Sequence, residues 1–151
     1  LMKKFLGIIF LFLLWSNIGS AEIILLECKY LDGEIRRFKD NYPQKKEPYS
    51  PYGQEVTEIR LDPAIEKLIK APGFDHSVDV VLWSSDEIYW TYKFRLVSAF
   101  PSDTRYSLDR MTGILSVDTT NYRIYEGDPP IKRILWDAKY SYNCEKKERI
   151  F

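Results

Sequence analysis

The 151-residue chain has one histidine, two cysteines and two methionines, and these scarcities remove whole classes of chemistry. A nitrogen–sulfur metal centre takes about four His or Cys ligands, and none can be assembled here once the two cysteines pair. Neither G-x-S-x-G, G-x-x-x-x-G-K-[ST], G-x-G-x-x-G nor H-E-x-x-H occurs. The chain therefore shows no nucleophile elbow, phosphate loop, dinucleotide fingerprint or zincin helix. An EF-hand ladder of acidic residues is missing as well. No metal and no cofactor is expected. An excess of charge is also missing, since 22 basic residues face 22 acidic ones. Without a broad cationic field, neither nucleic acid nor an anionic membrane is an expected partner.

One long apolar run is present, at the start. In "MKKFLGIIFLFLLWSNIGSA", residues 2–21, Lys3 and Lys4 precede an apolar stretch of 11 residues, Phe5 to Trp15. Gly19 and Ala21 stand three and one before Glu22. That is the pattern of a cleaved secretory signal. Extended to Ile18 the run reaches 14 residues, short of the ~20 of a spanning helix. The expectation is a signal peptide over 1–21 and one β-rich domain over 22–151, periplasmic or secreted and free of the membrane after cleavage. The mature chain of 130 residues then has 20 basic and 22 acidic residues, net −2. It is long enough to bury about two-thirds of its unfolded surface.

Cys28 and Cys144 stand near opposite ends of that domain, 116 residues apart. Glu27 immediately before Cys28, and the distance from the apolar run, argue against a lipid-modified cysteine. In an exported chain two such cysteines read as one disulfide. The competing readings are two buried thiols and a catalytic cysteine served by His76.

Aromatics make up 15% of the chain, led by 11 tyrosines, and suit pleated, half-buried surfaces. Period-two alternation supports the same conclusion. Ile134, Trp136, Ala138, Tyr140, Tyr142 and Cys144 share one face of a last strand, and Ile24, Leu26, Cys28 and Tyr30 one face of a first. Both cysteines thus face inward. Asp32-Gly33 predicts a hairpin into a second strand near Glu34 to Phe38. Ser84 to Glu87 and Met111-Thr112-Gly113 predict two more turns, with Gly113 at positive φ. "LDPAIEKLIKAPG" predicts a short helix, about 62–71, with Asp62 as N-cap, Pro63 at its first position and an Ile65/Leu68/Ile69 stripe. Residues 39–53 form a long loop in which Pro43, Pro48 and Pro51 alternate with Tyr42, Tyr49 and Tyr52. The expected fold is mainly β: a small antiparallel barrel or sandwich of about eight strands with one short helix, the terminal-strand disulfide favouring a sheet closed on itself.

Three elements together, Cys28, the "YSLDRMTGIL" hairpin of Tyr106 to Leu115, and Tyr142 to Cys144, resemble a group of small exported bacterial β proteins. That resemblance implies export and β structure and attaches no activity. The D-x-x-T-G turn at Asp109 to Gly113 is similar to that of cadherin repeats, without their calcium motifs. The cysteine placement is similar to small β-barrel lysozyme inhibitors, without their S-G-x-x-Y loop.

The expected function is a non-enzymatic periplasmic binding protein for a small molecule or a protein. The alternative is an interaction or inhibitor module acting through loop 39–53. Candidate binding residues are Tyr42, Tyr49, Tyr52, Trp83, Trp90 and Trp136, whose flat rings suit stacking on a ligand but equally suit a core. A third reading, a small hydrolase, rests on His76 within "DHSVD", residues 75–79, where a plain turn is the simpler explanation.

Overall fold

The computed structural model describes residues 23–72, 82–94 and 101–147. The signal segment, His76 and the rest of "DHSVD" lie outside them. Ten strands follow in chain order: β1 (Ile24–Lys39), β2 (Tyr42–Pro43), β3 (Glu47–Pro48), β4 (Val56–Asp62) and β5 (Lys67–Lys70), then β6 (Leu82–Trp83), β7 (Glu87–Phe94), β8 (Ser102–Asp109), β9 (Ile114–Tyr125) and β10 (Ile131–Lys146). All pairings are antiparallel, and eight strands form one sheet in the order β5-β4-β1-β10-β9-β8-β7-β6, with β2 and β3 pairing beside β1. The sheet curls into a half-barrel.

Alternation decides which face is covered. Ile59, Leu61, Leu68, Cys28, Tyr142, Leu115, Leu108, Ile88 and Trp90 fill the inner face, and Ile59, Leu68, Ile88, Leu115, Trp90 and Tyr142 are wholly buried. Many of their outward neighbours, such as Glu58, Arg60, Ser107, Ser116 and Asn143, are polar, as suits a sheet with one wet face. Cys28 and Cys144 stand directly opposite each other in the β1–β10 register and are joined by a disulfide. The two strands that carry them are neighbours in the middle of the sheet. The crosslink therefore staples a central pair, and is not the seam of a closed barrel.

Two expected elements are absent. Residues 62–71 form no helix: β4 ends at Asp62, turns through residues 63–66 and returns as β5, with Leu61 opposite Leu68. The Asp-Pro signal is used differently. Asp62 Oδ1 accepts from the Ala64 amide at 3.1 Å, closing a turn rather than starting a helix, and Glu66 adopts φ 50°. Ile65, part of the presumed apolar stripe, is 66% exposed, while Leu68 is fully buried. Lys70 pairs across the strands with Glu58 at 3.7 Å.

Asp32-Gly33 likewise makes no hairpin, because β1 runs straight through it with a bulge between Tyr30 and Asp32. Leu31 is the extra residue, 57% exposed. The bulge reverses phase: Cys28 and Tyr30 point inward before it, Gly33 and Ile35 after it, opposite Tyr140 and Ala138. A second bulge, between Ile134 and Trp136, moves Ile134 off the face it was expected to share. The turn at Met111-Thr112-Gly113 is as expected, with Gly113 at φ +74°.

Candidate binding groove

The outer face of the half-barrel contains a groove of about 620 Å³ crossing strands β7, β8, β9, β10 and β1. Its geometry follows from register. Tyr89, Ser107, Ser116, Ser141 and Asp32 lie in one cross-strand row. The next row holds Thr91, Arg105, Asp118, Lys139 and Glu34. Three serines in the first row leave a trough between long side chains, with Tyr89 at one end and acidic residues at the other.

Hydrogen bonding orients the floor. Ser107 Oγ donates to Glu87 Oε1 at 2.5 Å, and Ser141 Oγ donates to Asp32 Oδ1. Both hydroxyl protons are thereby committed, and the serine lone pairs and spare carboxylate oxygens remain as acceptors. Along the wall, Lys139 approaches Asp118 at 3.8 Å and Glu34 is paired with Lys46. Arg36 is held by Asp137 at 2.6 Å beyond the wall, and that carboxylate keeps its guanidinium charge more firmly than usual. A second hollow of about 370 Å³ lies there, sharing Arg105, Asp118 and Lys139 with the groove.

Beneath this sheet the inner face is aromatic. Trp90 stacks on Tyr106 with centroids 5.1 Å apart and planes 7° from parallel. Tyr142 meets Tyr30 and Tyr140 edge-on at 6.0 and 5.9 Å. Burial raises the pKa of the phenols of Tyr30, Tyr49, Tyr106 and Tyr140, and takes Tyr142 to about 12. Among the described residues Trp90 Nε1 and Tyr142 Oη have no hydrogen-bond partner.

The six residues expected to bind are not brought together. Trp90 is wholly buried and serves the core. Tyr49 is half-buried, its ring 5.4 Å from that of Tyr140 and its carbonyl accepting from the Tyr30 phenol. Trp83 is half-buried beneath the Arg110 guanidinium, at 5.6 Å, and Trp136 is half-buried between Arg37 and Asn121 in register. Tyr42 and Tyr52 are 74% and 101% exposed. Loop 39–53 is fastened along β1 by β2, by β3 and by the Tyr49 amide donating to Gly33 O at 3.0 Å.

The groove residues Tyr89, Arg105, Ser107, Ser116 and Ser141 form no motif in the sequence because they are spread over four strands. One signal was available. Folding "RYSLDRMTGILSVD" about its turn sets Ser107 against Ser116 and Arg105 against Asp118, on the wet face. Among the described residues no group of three or more His, Cys, Asp or Glu is placed to hold a metal ion. No protein-family model, curated protein or solved structure matches the chain.

Proposed function

We propose that this chain is an exported, non-enzymatic binding protein whose ligand lies in the outer-face groove. The observation that carries the reading is the groove itself: about 620 Å³, floored by hydroxyls from three adjacent strands of one hydrogen-bonded sheet. Groups mounted on paired strands are held in register and lose little freedom when a ligand arrives, which favours binding. Polar, shallow surroundings suit a ligand rich in hydroxyl or amide groups more than an apolar one. Export follows from the signal-like residues 2–21, and a disulfide is compatible with an oxidising compartment.

Amide NMR of the mature protein, titrated with neutral oligosaccharides and short peptides, tests this reading. The expected result is saturable shifts at Tyr89, Ser107, Ser116 and Ser141 that Ser116→Tyr abolishes by filling the trough. Shifts confined to other parts of the surface would refute the groove.

A second reading, recognition of a protein through residues 39–53, is favoured by the exposure of Tyr42 and Tyr52. Replacing both with serine should then abolish capture of a protein partner and leave the groove shifts intact.

A further inference from the structure

We propose that the groove takes a hydroxyl-rich saccharide carrying one carboxylate, with that carboxylate on Arg105 and a sugar ring against Tyr89. The inference rests on the groove being the binding site and adds the class of ligand.

Charge placement argues for a single anionic group at one end. The groove has two cationic residues, Arg105 and Lys139. Lys139 is engaged by Asp118 at 3.8 Å. Arg105 stands opposite Asp118 in register, yet among the described residues it forms no ion pair. It is exposed and borders both the groove and the hollow of about 370 Å³ beside it. Its planar fork of donors is therefore free for a carboxylate, the group it fits bidentately. The far end differs in sign, with Asp32 and Glu34 on β1. A polyanion laid along the whole groove would meet both of these acids. A cationic ligand would meet Arg105.

Hydrogen-bonding capacity argues for the hydroxyls. Ser107 and Ser141 have given their protons to Glu87 and Asp32, so they present acceptors to the ligand. A ligand lying over them must donate, as sugar hydroxyls do. Tyr89 is in the serine row beside Ser107, at the Arg105 end. Its half-buried ring offers a flat apolar face at the point where the anionic sugar would sit.

The test uses two probes on the mature protein: xylotetraose, and xylotriose bearing one glucuronic acid. Calorimetry gives affinities, and amide shifts at Tyr89, Ser107 and Ser116 locate the site. The acidic sugar should bind about ten-fold tighter than the neutral one. That advantage should vanish in Arg105→Gln, survive in part in Arg105→Lys, and shrink as salt is added. Arg105→Gln should weaken binding of the acidic sugar far more than that of xylotetraose, and since Arg105 is exposed its thermal midpoint should match the parent.

Equal affinity for the two sugars at the groove, or an advantage that persists in Arg105→Gln, overturns the inference and leaves the groove reading standing. Shifts at Arg105 and its neighbours from a short acidic peptide, with none from either sugar, overturn the saccharide class. If no probe moves the groove resonances, the groove reading fails and this inference with it.

Discussion

Gly33 shows that a glycine can be required for a reason other than the turn its sequence suggests. In sequence it belongs to a turn signal; in the sheet its backbone is pressed so closely that a Cβ would lie 2.6 Å from Tyr140 Cβ and 2.8 Å from Tyr49 O. Glycine is required there for close approach, not for a tight turn. Gly33→Ala should lower stability by about 1–3 kcal/mol through overpacking, measured by urea unfolding; an unchanged midpoint would contradict the contact. Gly113 obeys the simpler rule, its φ of +74° being the one expected of a turn glycine, and the Asp109 carboxylate closes that turn by accepting from the Met111 and Thr112 amides at 2.8 and 3.0 Å. Those backbone donors hold the Asp109 carboxyl below its ordinary pKa. Buried tyrosines make a pH prediction. Tyr142 ionises near pH 12 when folded against about 10 when unfolded, so between those values the folded state keeps a proton that the unfolded state has lost. Stability contributed by the neutral phenol is complete below pH 10 and falls as pH rises towards 12. Tyr106 and Tyr140, also raised by burial, extend the loss in the same direction. An alkaline unfolding series should show stability declining from about pH 10, with tyrosinate absorbance appearing together with unfolding. Free titration of all tyrosines in the folded protein near pH 10 would contradict their burial.

At the scale of elements, the strands of "SLDRMTGILSV" and β10 were legible because alternation persists over many residues, long enough to separate a period of two from one of 3.6. β5 is four residues long, where Leu68 and Ile69 fit either period, and the Asp-Pro cap tipped the reading to a helix. Tertiary pairing with β4 overrode that local preference. The hairpin makes a pair of opposed predictions. Leu68→Ala should cost about 2–5 kcal/mol, as deletion from a core does, whereas Ile65→Lys should fall within about 0.5 kcal/mol of the parent. A helical stripe would make both costly, so equal losses in thermal unfolding would restore the helix. The bulges at Leu31 and Leu135 were hidden for a different reason. Each shifts phase by one residue, and a one-residue shift shows only once the strand is set against its partner's register.

For the molecule as a whole, fold class and the cysteine pairing could be read from the sequence, but the arrangement of strands could not. Two cysteines on apolar faces predict a bond whether the terminal strands close a barrel or lie mid-sheet. The candidate groove was least legible. Its residues are polar, belong to the face usually dismissed as solvated, and acquire meaning only when four registers are superimposed. Removal of the crosslink by Cys144→Ser should cost up to about 4–5 kcal/mol in the chain-entropy account. Reduction of the parent should produce a comparable fall in the urea midpoint. Loss of less than about 1 kcal/mol would mean that the β1–β10 pairing already holds its ends together without the bond.

That bond also turns residues 28–144 into a covalent ring. A ring is opened by one cut but not divided. The exposed turn at Arg110–Met111 protrudes from the sheet and offers a protease a natural place to cut, Met111 being 80% exposed. Limited trypsin digestion at Arg110 should give a nicked species that migrates as one chain under non-reducing denaturing conditions. It should separate into two pieces once a thiol is added. Scission of the polypeptide and dissociation of the protein are thus separate events here, with redox state deciding whether the first leads to the second. Two separate pieces in the absence of reductant would show that the ring had not formed.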